Sequence, residues 1–153
     1  MRLAEQARFL VLAAQTEGRR QLSQQLRPLG LTPSQAEVLR LIQDHGPTTL
    51  REIGRLLVCE SGTSPSRLVA RVVSQGLVDR RPSKTDRREI QLTLTDAGLR
   101  VCAEIATIEE TMYAAIDSIA QGDMEPAVAF LRRFIEGSPS GEAFERRLAT
   151  GPE

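Results

Sequence analysis

The chain has 153 residues and carries 20 Lys and Arg against 20 Asp and Glu. Formal neutrality argues against a nonspecific nucleic-acid coat, and the length suits one domain or one small domain with attached arms. Trp is absent and Tyr113 is the single tyrosine, so Leu, Val, Ile and Ala must build the core.

No stretch is long enough to span a bilayer. The apolar run at residues 9–14 follows Glu5 and Arg8, and no cleavage pattern comes after it. It reads as helix rather than as a signal peptide, and the expected compartment is the cytoplasm. Cys59 and Cys102 are too few for a disulfide framework and lack metal-ligand spacing. No metal or cofactor is implied.

Leu3, Ala7, Leu10 and Ala14 recur at helical spacing, and Leu22, Leu26 and Leu29 resume the stripe. The first helix is therefore predicted over residues 3–26, ending before Pro28 and Gly30. Thr32-Pro33-Ser34-Gln35 is a helix start: Thr32 can cap, Pro33 suits the first helical position, and Gln35 completes a capping box. Val38, Leu39, Leu41 and Ile42 then face a core, and His45-Gly46-Pro47 ends the helix. Thr49-Leu50-Arg51-Glu52 is a second capping box, followed by Ile53, Leu56 and Leu57. A turn over residues 61–65 leads into a helix over residues 64–75, with Leu68, Val69, Val72 and Val73 as its buried stripe. Gly76 is placed to end that helix in a left-handed cap. Two short helices, a Gly-containing turn and another helix make a helix-turn-helix.

From Leu77 the period changes. Residues 77–81 read as one strand, and Ile90, Leu92 and Leu94 alternate with Gln91 and Thr93 as a second. Residues 82–88 form a basic tip between them. A hairpin directly after a helix-turn-helix is the winged-helix layout. Thr95 caps a long helix reaching Ala120, with Val101, Ile105, Ile108, Met112, Ile116 and Ile119 on one period. Asp123 starts a last helix through Val128, Leu131 and Ile135. The tail after Gly137 is expected to be polar and frayed, with a turn of helix near residues 142–148. The fold class is mainly α with a small β-hairpin. One unit spans residues 1–153, with a DNA-binding lobe at 32–94 and dimerisation helices at 1–30 and 95–148.

Charge is distributed unevenly. Residues 51–91 hold nine basic side chains against five acidic ones, a local surplus that suits an anionic partner. The helix at 64–75 exposes Ser64, Ser66, Arg67, Arg71 and Ser74. Arg67 and Arg71 are four apart and repel by a few tenths of a kcal/mol. No acid in the helix offsets them, whereas a phosphate or a guanine edge would. Ser64 and Ser66 offer hydroxyls to phosphate or base edges. The hairpin adds Arg80, Arg81, Lys84, Arg87 and Arg88, with Asp86 among them. A basic loop beside a major-groove helix can reach the adjacent minor groove, where A·T tracts concentrate negative potential. Read as structure alone, the same charges would be a solvated helix face and a loop held by Asp86.

Residues 31–98 resemble the DNA-binding region of the MarR family of bacterial regulators. The matching pieces are Leu31-Thr32-Pro33-Ser34-Gln35, Ser66-Arg67-Leu68-Val69 and Gly76-Leu77-Val78-Asp79-Arg80. Most specific is Asp86-Arg87-Arg88 followed by Leu94-Thr95-Asp96-Ala97-Gly98. The resemblance implies a homodimer joined through the first and last helices, a triangular shape, and repression of a pseudo-palindromic operator relieved by a small-molecule effector or an oxidant. It also implies that Arg88 enters the minor groove and that Asp86 orients it. Val58-Cys59-Glu60-Ser61-Gly62 departs from the simpler turn usual in the family. Cys59 lies beside the recognition helix, so it is either a packed apolar residue or a redox sensor. The peroxide-sensing branch of the family carries its reactive cysteine near the N-terminus, where this chain has none. Cys102 reads as packing, and His45 as a donor to the last carbonyls of its helix.

No nucleophile elbow, phosphate loop or metal motif occurs, so an enzyme is not expected. Two further readings stay open: a winged helix used for protein contacts, and a cysteine-based redox sensor. The ligand-binding residues cannot be named from the sequence.

Overall fold

The computed structural model describes residues 1–58, 62–83 and 89–150. Cys59, Lys84, Asp86, Arg87 and Arg88 lie outside the described residues. Helix α1 spans Leu3–Leu26 and runs into a single 3-10 turn at Arg27–Leu29, closed by Gly30 at φ +67°. Helix α2 follows at Pro33–His45, strand β1 at Thr48–Thr49, helix α3 at Leu50–Leu56 and helix α4 at Pro65–Ser74. Strands β2 (Val78–Pro82) and β3 (Ile90–Leu94) form the hairpin. Helices α5 (Asp96–Ala120), α6 (Met124–Ile135) and α7 (Pro139–Thr150) complete the described chain.

The expected caps are present. The Thr32 hydroxyl accepts the Gln35 N–H at 3.3 Å, and the Gln35 side chain accepts the Thr32 N–H at 3.0 Å. At α3, the Glu52 carboxylate accepts the Thr49 N–H at 2.8 Å. That backbone donor, helped by the Thr48 and Thr49 hydroxyls, holds the Glu52 carboxyl below its ordinary range. Gly76 takes φ +71°, as its place after α4 requires.

α2 is the central element. It packs against α1, α3, α4, α5 and β3, which explains why its buried residues run almost without break from Pro33 to Ile42. The core gathers Leu39, Leu41, Ile53, Val69, Val72, Val78 and Leu92 around it. Leu26 from α1 and Cys102 and Ile105 from α5 join the same cluster, so the inner ends of both flanking helices belong to the lobe's core. Beyond those ends the flanks are bare. Leu3, Leu10 and Ile119 are 82%, 67% and 80% exposed, and α6 buries none of its residues.

Three strands among the described residues form one antiparallel sheet in the order β1-β3-β2. The register runs from Val78 opposite Leu94 to Pro82 opposite Ile90. Pro82, expected in the loop, closes β2 instead. β1, which pairs Thr48 with Leu92, was not anticipated because two residues carry no period. The second departure is the tail. In place of a frayed segment with one turn of helix, α7 spans twelve residues and packs against α3. Its contacts include one far away in sequence, Arg147 with Glu37, which a local pattern does not reveal.

Candidate nucleic-acid interface

α4 buries Leu68, Val69 and Val72 and exposes Ser66, Arg67, Ala70, Arg71 and Ser74. The face away from the core is therefore the one the sequence singled out. Among the described residues neither Arg67 nor Arg71 pairs with an acid. Arg67 lies in the first turn, where a cation opposes the helix dipole. Such a local conflict marks a position selected for something other than stability. Ser64, the N-cap, leaves its own helix uncapped; its hydroxyl lies 3.0 Å from the Ser66 hydroxyl instead. Both hydroxyls are at the surface beside the Arg67 face. Ser74 donates to the Arg71 carbonyl at 2.7 Å and is occupied within the helix.

α4 is anchored at one end. At the C-terminal end Gln75 Nε2 donates to the Gly30 carbonyl at 3.1 Å. There the Leu94-Thr95-Asp96-Ala97-Gly98 segment explains itself. The Thr95 hydroxyl donates to the Gly76 carbonyl at 2.7 Å and accepts the Gly98 N–H at 3.0 Å, capping α5. The Thr95 N–H meets the Leu77 carbonyl at 3.1 Å. A Cβ on Gly98 would stand 2.1 Å from that same carbonyl oxygen, so only glycine lets the start of α5 close on the base of the hairpin. α4, the hairpin and α5 meet at one junction.

The wing carries Arg80 and Arg81 outward on β2. Arg81 is held by Asp79 on its own strand at 2.9 Å, an exposed pair that a phosphate can displace at little cost. Lys84, Asp86, Arg87 and Arg88 lie outside the described residues, so their expected roles rest on the sequence. Ser64, Ser66, Arg67 and Arg71 do share one surface on and just before α4.

Cys102 is wholly buried, and burial pushes its thiol up to about 11. It is packing, as expected. His45 ends α2. Among the described residues no cluster of His, Cys, Asp or Glu could hold a metal ion. No helix among them is long and apolar enough to cross a membrane.

The model of the MarR family matches residues 29–89, the stretch from the close of the 3-10 turn to the far side of the wing. The chain belongs to the MarR family. The organic hydroperoxide resistance transcriptional regulator of Bacillus subtilis is 33% identical over 98 residues, covering 64% of this chain and 66% of that one. The HTH-type transcriptional regulator SarZ of Staphylococcus haemolyticus is 25% identical over 136 residues, covering 89% and 91%. A crystal structure of a mutant MarR from E. coli complexed with operator DNA has the same fold. Its TM-score is 0.70 at 24% identity, covering 83% of this chain and 91% of that one. These relatives are transcriptional regulators, not enzymes.

Two features of the structure were missed from sequence. One is the buried Glu37, the lone acid amid the apolar positions of α2. That placement was the available signal, because an enclosed carboxylate demands partners. The other is Arg147 and the full length of α7, of which the sequence offered only a turn near residues 142–148.

Proposed function

We propose that the protein is a homodimeric repressor that binds a pseudo-palindromic double-stranded DNA operator in the cytoplasm. The lobe over residues 32–94 reads DNA, and the flanking helices at 1–30 and 95–148 join the two copies. The observation that carries this reading is the acid-free Arg67 and Arg71 face of α4, locked beside a basic hairpin at the Gly98 junction. α4 enters the major groove with Arg67 and Arg71 on base edges or phosphates and Ser64 and Ser66 as hydrogen-bond donors. Arg88 enters the minor groove, oriented by Asp86. Arg81, Lys84 and Arg87 contact the backbone. Two-fold symmetry sets the half-sites about one helical turn apart, or a multiple of it.

The bare apolar faces of α1 and α6 support the dimer, since stripes of that kind in a small chain require a second surface. Release of the operator follows when an amphipathic small molecule binds the DNA-free arrangement better than the bound one. A cleft of about 630 Å³ between α7 and the helix-turn-helix, with Arg55, Leu57, Pro65, Leu68, Ala143 and Arg146 on its walls, has the mixed chemistry such a molecule needs. Release by an oxidant would run through Cys59, because Cys102 is buried and held protonated.

The test is binding to the fragment upstream of the protein's own coding region, at several salt concentrations. Arg67→Ala, Arg71→Ala and Arg88→Ala should each lose roughly 1–3 kcal/mol, Arg88→Ala most on A·T-rich flanks. Lys84→Ala should weaken all sequences alike and lower the salt slope by roughly one phosphate contact. If all three Arg variants, folded and dimeric, bind like the parent, the groove assignments are wrong and a protein partner becomes the better reading.

A further inference from the structure

α7 is tied to the approach to the recognition helix by a buried charge. Arg147 Nη1 donates to Glu37 Oε1 at 2.7 Å, across 110 residues of chain. The same oxygen accepts the Val58 N–H at 2.9 Å. The Glu37 side chain is 8% exposed, so its charge is tolerated only with partners of this kind. Val58 is where the chain leaves α3, after Leu57 has turned extended at φ −64° and ψ 124°. α3 lies directly on α4, since a Cβ on Gly54 would touch Pro65 at 3.6 Å.

On its other side α7 meets α6 through an exposed pair. Arg132 on α6 grips Glu145 through two contacts of 2.9 and 3.0 Å. The α6–α7 corner is closed by Ser138, whose hydroxyl donates to the Ile135 carbonyl at 2.6 Å and accepts the Gly141 N–H at 3.1 Å. A Cβ on Gly141 would stand 2.2 Å from the Ile135 carbonyl oxygen, so the corner has no slack. An unbroken series of contacts therefore runs from α6 through α7 and Glu37 to the residue that leads toward α4.

We infer that Glu37 and Arg147 are positioning residues for DNA reading: they clamp the exit of α3 and so set the seat of α4 from the C-terminal arm. The inference rests on the reading of α4 as the helix that enters the groove. Arg147 acts through Glu37 and Val58 and not through a phosphate, which separates it from the basic residues of α4 and the wing.

The test compares Arg147→Ala, Arg147→Lys, Glu37→Gln and the Arg147→Ala/Glu37→Gln pair. Gln at position 37 keeps an acceptor for the Val58 N–H and removes the charge. The readouts are affinity and salt slope for the fragment upstream of the coding region, sedimentation, and amide exchange at Val58. Arg147→Ala and Glu37→Gln should each weaken binding about three- to tenfold, and the pair no further than the worse single variant. The salt slope should stay at the parent value, because no phosphate contact is lost. The dimer should persist, Arg147→Lys should recover part of the loss, and the Val58 amide of Arg147→Ala should exchange faster. Parent-like affinity in Arg147→Ala, additive losses in the pair, or a reduced salt slope would overturn the clamp. If the parent itself binds no DNA, the reading of α4 fails, and exchange alone judges the clamp: unchanged protection at Val58 in Arg147→Ala disproves it.

Discussion

The lobe around α2 and the arms formed by α1 and α6 obey different rules. In the lobe, Leu39, Leu41, Ile53, Val69 and Val72 reach 0% exposure within one chain. In the arms, Phe9, Leu10, Phe130 and Phe134 are 45–67% exposed. An apolar groove between α1 and α6, lined by Leu3, Val11, Phe130 and Phe134, is open. The Phe130 and Phe134 rings stack on each other at 6.2 Å, yet little of the chain covers them. The lobe is thus complete in one copy and the arms are not. A helix of the first kind is stabilised by its own chain, and one of the second kind by a second copy.

The largest expected effect lies in the lobe. Leu39→Ala removes a fully buried side chain of α2 and should cost about 2–5 kcal/mol. Urea unfolding should show the same loss at every protein concentration; a loss that varies with dilution would blur the distinction between lobe and arms. Next comes the arm. Phe130→Ala with Phe134→Ala should weaken dimerisation by about 1–3 kcal/mol while leaving the fold of the lobe intact. Sedimentation over a dilution series should show monomer appearing earlier than in the parent. An unchanged dimer together with a destabilised lobe would mean that these rings serve their own chain.

The smallest effect is one of pH and falls where arm and lobe meet. The Cys102 thiol is raised from 9.0 to about 11, by burial first. Above the unfolded value the folded state holds a proton that the unfolded chain has lost. Stability should therefore be fully present below about 9 and decline as pH rises from there through about 11. Cys102→Ala should flatten that decline in urea midpoints taken across this range. Parent and variant curves of equal slope would show that the inner end of α5 is wetter than its burial implies.

The comparison also explains what the sequence could reveal. Thr32 and Gln35, Thr49 and Glu52, and Thr95 announced their helices because capping is local chemistry. The 3.6-residue stripe of α1 and α5 set their bounds, and the alternation of Ile90, Leu92 and Leu94 marked the wing. Even the exposed Arg67 and Arg71 face could be read, since it is the complement of the Leu68, Val69 and Val72 stripe. α7 was legible only as a turn near residues 142–148, because its partners lie on α2 and α3, far away in sequence. Glu37 was legible only as an oddity, and its meaning appears when Arg147 and Val58 meet at one oxygen. The relative from Bacillus subtilis named for organic hydroperoxide resistance makes the cysteine positions instructive. This chain places its thiols at 59 and 102, and the second is sealed in the core.

The closure of Gly98 on the Leu77 carbonyl bears on how such a protein can be re-engineered. The hairpin is seated on a close-fitting mount made of Gly76, Leu77, Thr95 and Gly98. A foreign tip spliced between Pro82 and Ile90 inherits the angle that this mount dictates. A whole hairpin transplanted without Thr95 and Gly98 would swing, because any Cβ at position 98 forces the two backbones apart. New operator preferences are therefore to be sought by exchanging side chains on a fixed frame, not by re-aiming the frame itself.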